Sequence, residues 1–167
     1  MLSLPDTLLL FALHDDKGTV HPSAFLALDH ALRGAALAEL RLRGCLKTWR
    51  DGTLELCGAE TGDPFFDGVS FLLHRSLPTQ PSVLDALATL ETGLPELRRG
   101  VIRRLEAADI LISADRERVL LPGSRNHPMT DGRLEEAARE ALQRSIYEGG
   151  DISPRLGTLL ALSLIHI

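Results

Sequence analysis

The sequence is poor in aromatic residues and in cysteine. Aromatic residues make up 4% of the 167 residues, so the hydrophobic core has to be built from leucine and alanine, which favour helices. There are two cysteines, Cys45 and Cys57. Neither belongs to a CxxC pair, which argues against a zinc site.

The sequence also has no excess of basic residues and no familiar catalytic motif. With 18 Lys and Arg against 23 Asp and Glu, the net charge is −5, which argues against wholesale binding to nucleic acid but permits a local basic patch. GxSxG, HExxH, GxxxxGKS/T and GxGxxG motifs are absent, and the six histidines show no metal-ligand spacing. We therefore expect a protein that is not an enzyme and that holds no metal or cofactor.

A secretory signal is missing as well. The apolar segment 1–13 has no basic region in front of it and is interrupted by Pro5 and Asp6. We expect a cytoplasmic protein, and its length fits one domain that can bury a sizeable core.

The most informative stretch that is present is residues 22–44. Pro22 and Gly44 mark the ends of one long predicted helix. Apolar residues occupy nearly every face of it, which is typical of a helix inside a bundle. Arg33 is a permanent charge on this buried helix, so it must be paired or must face an anion. Asp29, four residues earlier, could form an intrahelical ion pair with it.

The other segments predict a mainly α fold, a helical bundle around the buried central helix 22–44 with two small β-hairpins. The first hairpin turns at Asp51-Gly52. A three-residue loop there would place Cys45 opposite Cys57, where we expect free thiols rather than a disulfide. The remaining predicted elements are helices over 5–14, 65–74, 82–93, 95–109 and 131–147, a second hairpin over 110–121, and a last helix from Ser153-Pro154.

The last residues of the sequence predict a domain boundary. Residues 162–167 finish an apolar run without a cap, and they match the translation of a transposon-end sequence used in preparing sequencing libraries. We expect residues 1–161 to form a single domain that is truncated at its C-terminus, followed by a non-native tail over 162–167.

The order of motifs resembles the Golgi phosphoprotein 3 family and its bacterial relatives. The segments that carry the resemblance are, in order, LSLPDTLLLFALHDDKG, ALRGAALAELRLRG, TGDPFFD, LRRGVIRRLEAADIL, NHPMTD and PRLGTLLAL. The resemblance implies a helical bundle and peripheral membrane association through recognition of phosphatidylinositol 4-phosphate or another anionic phospholipid headgroup. In eukaryotic members it also implies binding to cytoplasmic tails of Golgi glycosyltransferases.

The resemblance also assigns site residues. The phosphate-binding arginine of the family's LRG motif falls on Arg33, and a basic residue at the start of the arginine-rich helix falls on Arg98. A second basic position holds Pro95, and the position of the family's site tryptophan holds Ala24. The family's membrane-contact hairpin corresponds to Val119, Leu120 and Leu121.

Elementary chemistry agrees with such a site. Phosphate groups are held best by arginine forks from more than one element. Arg33 with Arg98, and Arg99 beside it, could supply them if the two helices meet. An apolar hairpin would add a second membrane-binding signal.

Two other functions fit the residues. A helix followed by a hairpin over residues 96–121 has the order of a winged-helix nucleic-acid module, with Arg116 and Arg118 on the wing. A protein-interaction adaptor without a ligand pocket is the other alternative, and it would be indicated by a buried Arg33 paired with Asp29.

Overall fold

Leucine and alanine side chains form the core, as the scarcity of aromatic residues predicts. In the computed structural model, which describes residues 2–13, 19–22, 27–58, 60–111 and 153–163 together with residues 140 and 143, six helices and one hairpin surround this core. The mainly α fold is confirmed. The elements are α1 (Leu4–Ala12), α2 (Leu28–Leu42), β1 (Leu46–Thr48), β2 (Leu54–Leu56), α3 (Pro64–Ser76), α4 (Val83–Gly93), α5 (Leu97–Ala107) and α6 (Pro154–Ser163).

Helix α2 is the central element of the described structure. It packs against each of the other five helices and against β1. Its buried residues cover most of the helix surface, as predicted for an apolar helix inside a bundle, and one face with His30 and Arg41 is exposed. The buried residues are Leu28, Ala31, Leu32, Arg33, Ala35, Ala36, Leu37, Glu39 and Leu40.

The start of the central helix differs from the prediction. Helix α2 begins at Leu28, with Ala27 as an N-cap that makes no side-chain hydrogen bond, whereas Pro22 lies in a turn. A proline with a fixed φ fits a turn as well as a first helical turn, so it does not by itself fix a helix start. Residues 23–26 lie outside the described part. The predicted end is confirmed, because Gly44 follows the helix with φ +76°.

Hydroxyl and carboxylate caps set the starts of α1, α3, α4 and α6. Ser3 and Ser82 each form a capping box with the acidic residue three positions later, Asp6 and Asp85. The spacing of Ser82 and Asp85 in the sequence predicts a capping box, and the structure confirms it. Asp63 caps α3 by accepting a hydrogen bond from the Phe65 N–H, and the Ser153 hydroxyl accepts one from the Leu156 N–H at 3.3 Å.

The first hairpin has the predicted register. Leu46 pairs with Leu56, so Cys45 lies opposite Cys57, and the Cys57 N–H donates to the Cys45 carbonyl at 2.9 Å. Both cysteines are free thiols, as predicted. The second predicted hairpin (110–121) and the predicted helix over 131–147 lie almost wholly outside the described residues.

Glu39 joins three helices at one buried carboxylate. Its side chain is 1% exposed and accepts two hydrogen bonds from Arg155, both at 2.8 Å. It also accepts one from the Leu4 N–H at 2.9 Å and one from Arg43 at 3.0 Å. Burial by itself would raise the pKa of Glu39, but these hydrogen bonds outweigh it and lower the pKa. The carboxylate therefore fastens α1 and α6 to α2.

Arg104 makes a second connection between helices. Its guanidinium donates to Asp63 at 2.5 Å and to both oxygens of Asp6 at 3.3 Å, and it lies over the rings of Phe65 and Phe66. These contacts tie α5 to α1 and to the start of α3.

Replacing Glu39 with alanine tests the first connection. Glu39→Ala leaves two partly buried guanidinium groups and a buried N–H without their acceptor, so we expect the free energy of unfolding to fall by about 3 kcal/mol. Urea denaturation followed by circular dichroism measures it. The control is Glu91→Ala on an exposed position of α4, which should change stability by less than about 0.5 kcal/mol. Equal effects of the two changes would contradict the connection.

The pH dependence of stability gives a separate test of Glu39. Because its pKa is lowered in the folded protein, the unfolded chain binds a proton more readily there. The contribution is complete above the unfolded pKa of about 4.3 and is lost as the pH falls through the folded value. Glu39→Gln should therefore flatten the decline in unfolding free energy below about pH 4.5. Parallel curves for Glu39→Gln and the wild type would show that Glu39 does not contribute.

Candidate anionic-ligand site

Arg33 is buried without a full set of partners. It lies in the first half of α2, between Leu32 and Ala35, which are both fully buried, and the residue is 8% exposed. Its Nε is a buried atom that has no hydrogen-bond partner among the described residues. A guanidinium in such a place carries a desolvation cost that a protein partner would usually offset. An anion bound here would supply acceptor oxygens for this group.

Arg98 reaches the same helix from α5. Helix α5 buries Leu97, Val101 and Leu105 at four-residue spacing, so Arg98, next to Leu97, comes within reach of α2. Its Nε and Nη2 donate to the two carboxylate oxygens of Asp29, each at 2.7 Å. This is the parallel two-bond geometry that arginine forms with carboxylates and phosphates.

Asp29 therefore pairs with Arg98 rather than with Arg33. The hydrogen bonds from Arg98 are the largest cause that lowers the pKa of Asp29. Burial opposes them, and the charges of Arg98, Arg33 and His30 lower the pKa further. Arg98 thus acts on Asp29 through direct hydrogen bonds, and Arg33 acts on it through its charge from one helical turn away.

The structure does not bring Arg99 to α2 as it brings Arg98. Its side chain is 67% exposed and forms an ion pair with Glu96, three residues earlier. Pro95 lies in the turn before α5. The predicted membrane-contact residues Val119, Leu120 and Leu121 lie outside the described residues, as does Ala24.

The partner of Arg98 was not predicted from the sequence. Asp29 and Arg98 are 69 positions apart, and the local rule for ion pairs on a helix points from Asp29 to Arg33 instead. No signal in a single sequence joins the two residues. The connection of Arg104 to Asp6 and Asp63 was not predicted either, because these residues are 98 and 41 positions away in the sequence.

Chemically, the cluster of Asp29, Arg33 and Arg98 can bind and orient an anion. It contains two guanidinium groups and one carboxylate, on two helices that pack together. In the described residues no group of three or more His, Cys, Asp or Glu side chains could hold a metal ion. None of the described helices is both long and apolar enough to cross a bilayer.

The fold and this cluster define a class of helical-bundle domains with an arginine on a buried central helix. Comparison with protein families identifies the family within this class. The model of Golgi phosphoprotein 3 (GPP34) matches residues 4–164, and the chain belongs to this family. No curated protein is similar enough in sequence to count as a match.

A titration of Asp29 tests the geometry of the cluster. In the wild type the pKa of Asp29 lies below its ordinary value, and Arg98→Gln should raise it, because burial is then opposed only by weaker charges. Arg33→Gln should raise it less. Carboxyl carbon chemical shifts followed between about pH 2 and 6 measure both changes. An unchanged titration in Arg98→Gln would show that the two-bond pair does not form in solution.

Proposed function

We propose that the protein is a non-catalytic, peripheral membrane protein that binds an anionic lipid headgroup through Arg33 and Arg98. The observation that carries the proposal is the buried Nε of Arg33, which has no hydrogen-bond partner. A headgroup phosphate would provide acceptor oxygens for it. The family to which the chain belongs is consistent with this function.

A second arginine makes phosphate a suitable anion. Arginine forks bind phosphate oxygens with directional, charge-assisted hydrogen bonds, and two forks from different helices hold one phosphate better than one does. The Arg98 side chain is 27% exposed, so part of its guanidinium reaches solvent. Arg33 supplies the buried partner and Arg98 the partner at the surface.

The finer identity of the lipid is part of the proposal. Phosphatidylinositol 4-phosphate is the headgroup that the family resemblance implies, and other anionic phospholipids present a related phosphate. The apolar residues 119–121 would supply the second contact that stable but reversible membrane binding needs. Cytoplasmic tails of membrane proteins are further candidate partners.

Binding to vesicles tests the proposal. The wild-type protein should co-sediment with vesicles that contain acidic phospholipid, and binding should weaken with salt. Arg33→Gln should reduce the affinity by about tenfold or more, because it removes a charge-assisted contact to the phosphate. Arg103→Gln is the matched control. It removes the same charge from an exposed position of α5, and we expect it to reduce binding by less than about threefold.

Two results would contradict the proposal. One is no binding of the wild-type protein to any acidic vesicle, and the other is an equal loss in the two arginine variants, which would indicate attraction by overall charge alone. Urea denaturation of each variant shows whether a loss of binding is caused by a loss of folding. Arg33→Gln should be at least as stable as the wild type without ligand, because it removes a buried charge that lacks a full set of partners.

A further inference from the structure

Cys45 and Cys57 lie opposite each other at the open end of the hairpin. The strand register pairs Leu46 with Leu56, so the two cysteines form the next pair. The Cys57 N–H donates to the Cys45 carbonyl at 2.9 Å. Residues opposite each other in such a hydrogen-bonded pair have Cα atoms about 5.5 Å apart. A disulfide spans Cα distances of about 4.4–6.8 Å, so the backbone separation suits one.

The two thiols belong to one face of the hairpin. Side chains along a strand alternate between its faces, and Cys45 lies two residues before Lys47. On the other strand, Cys57 lies two residues after Glu55. Lys47 and Glu55 are themselves a register pair, and their side chains meet across the strands with Nζ and Oε1 3.3 Å apart. The cysteines are the neighbouring pair on that face.

The backbone at Cys45 is fixed to the end of the central helix. The Cys45 N–H donates to the Leu40 carbonyl at 2.9 Å and the Gly44 N–H to the Arg41 carbonyl at 3.1 Å, the pattern of a Schellman motif. In a complete strand pair the Cys45 N–H would bond to Cys57 instead. The Cβ atoms of paired residues are about 4.5–5.5 Å apart and those of a disulfide about 3.5–4.5 Å. Cys57 therefore has to approach Cys45 by about 1 Å for a bond between the sulfurs.

The two thiols differ in their access to solvent. Cys45 is 1% exposed, whereas Cys57 is half-buried. Burial raises the pKa of Cys45, and the charge of Arg43 opposes this effect less strongly. A small oxidant can therefore reach Cys57 first, because thiol reactivity requires exposure and a thiolate. Cys45 is placed to react in a second step, from inside the protein.

We propose that Cys45 and Cys57 form a reversible disulfide when the protein meets a low-molecular-weight disulfide, which makes the base of the hairpin a site of oxidative modification. The free thiols of the structure are the reduced state. The inference does not depend on the proposed function, because it involves neither Arg33 nor a membrane.

Two thiol–disulfide exchanges form the bond. The Cys57 thiolate attacks one sulfur of the small disulfide and forms a mixed disulfide, and the small thiolate that is released takes up the proton that Cys57 had lost. The Cys45 thiol then attacks the Cys57 sulfur, and its proton leaves with the second small thiol. In all, two protein thiols are oxidised and one small disulfide is reduced to two thiols.

The new bond would close a ring that contains β1, the Asp51-Gly52 turn and β2. It would also tie the end of β2 to the Schellman motif at the end of α2. A cross-link of this kind stabilises a fold mainly by restricting the unfolded chain. The oxidised protein should therefore melt about 5 °C or more above the reduced protein.

Oxidised glutathione tests the proposal on the full chain. Intact-mass spectrometry should show a protein lighter by two hydrogen atoms, with both thiols closed to an alkylating reagent after denaturation. Dithiothreitol should restore the original mass and the lower melting temperature. Peptide mapping should find residues 45 and 57 joined within one chain.

Two serine variants separate the steps. Cys45→Ser should stop at the first exchange and keep glutathione on Cys57 as a mixed disulfide. Cys57→Ser is the matched control, since it keeps the buried thiol, and it should react with oxidised glutathione at least about tenfold more slowly than Cys45→Ser. If either variant does not fold, the mass of the oxidised wild type still decides.

Three results with the wild type would overturn the proposal. They are a stable mixed disulfide on Cys57 without ring closure, a disulfide-linked dimer as the main product, and no reaction at all. A closed ring that lowers the melting temperature would overturn the claim that the hairpin accommodates the bond.

Discussion

The structure depends on the enclosure of α2 by the other five helices. A charged side chain on the buried faces of such a helix needs a neutralising partner. Glu39 has such partners in Arg155, Arg43 and the Leu4 N–H. Arg33 does not have a full set, since its Nε is buried without a partner. Of the two buried charges on α2, Glu39 therefore connects three helices, whereas Arg33 makes no such connection within the described residues.

Helix α5 connects this site to the rest of the bundle. Near its start, Arg98 pairs with Asp29 on α2, and near its end, Arg104 pairs with Asp6 and Asp63. Both contacts fix the position of α5 through charged side chains. These side chains lie beside the apolar residues by which α5 packs into the bundle. A phosphate bound at Arg98 would therefore contact the start of α5, while Arg104 holds the end of the same helix in place.

Much of the fold could be predicted from local patterns. Leu/Ala-rich segments indicated helices, Ser82 with Asp85 indicated a capping box, and the Asp51-Gly52 turn gave the register that places Cys45 opposite Cys57. These features depend on residues within a few positions of each other, so a single sequence contains them. The start of α2 at Leu28 could not be predicted, because Pro22 is compatible with either a helical turn or a loop.

The sequence by itself determined that α2 would be largely buried and that Arg33 must be paired or must face an anion, because apolar residues occupy nearly every face of the helix. The tertiary structure decided which partner each charge takes. By helical spacing alone Asp29 would pair with Arg33, yet it bonds to Arg98, 69 positions away. Such pairs form because packing brings two helices together, and helix packing depends on the whole set of apolar surfaces rather than on local spacing.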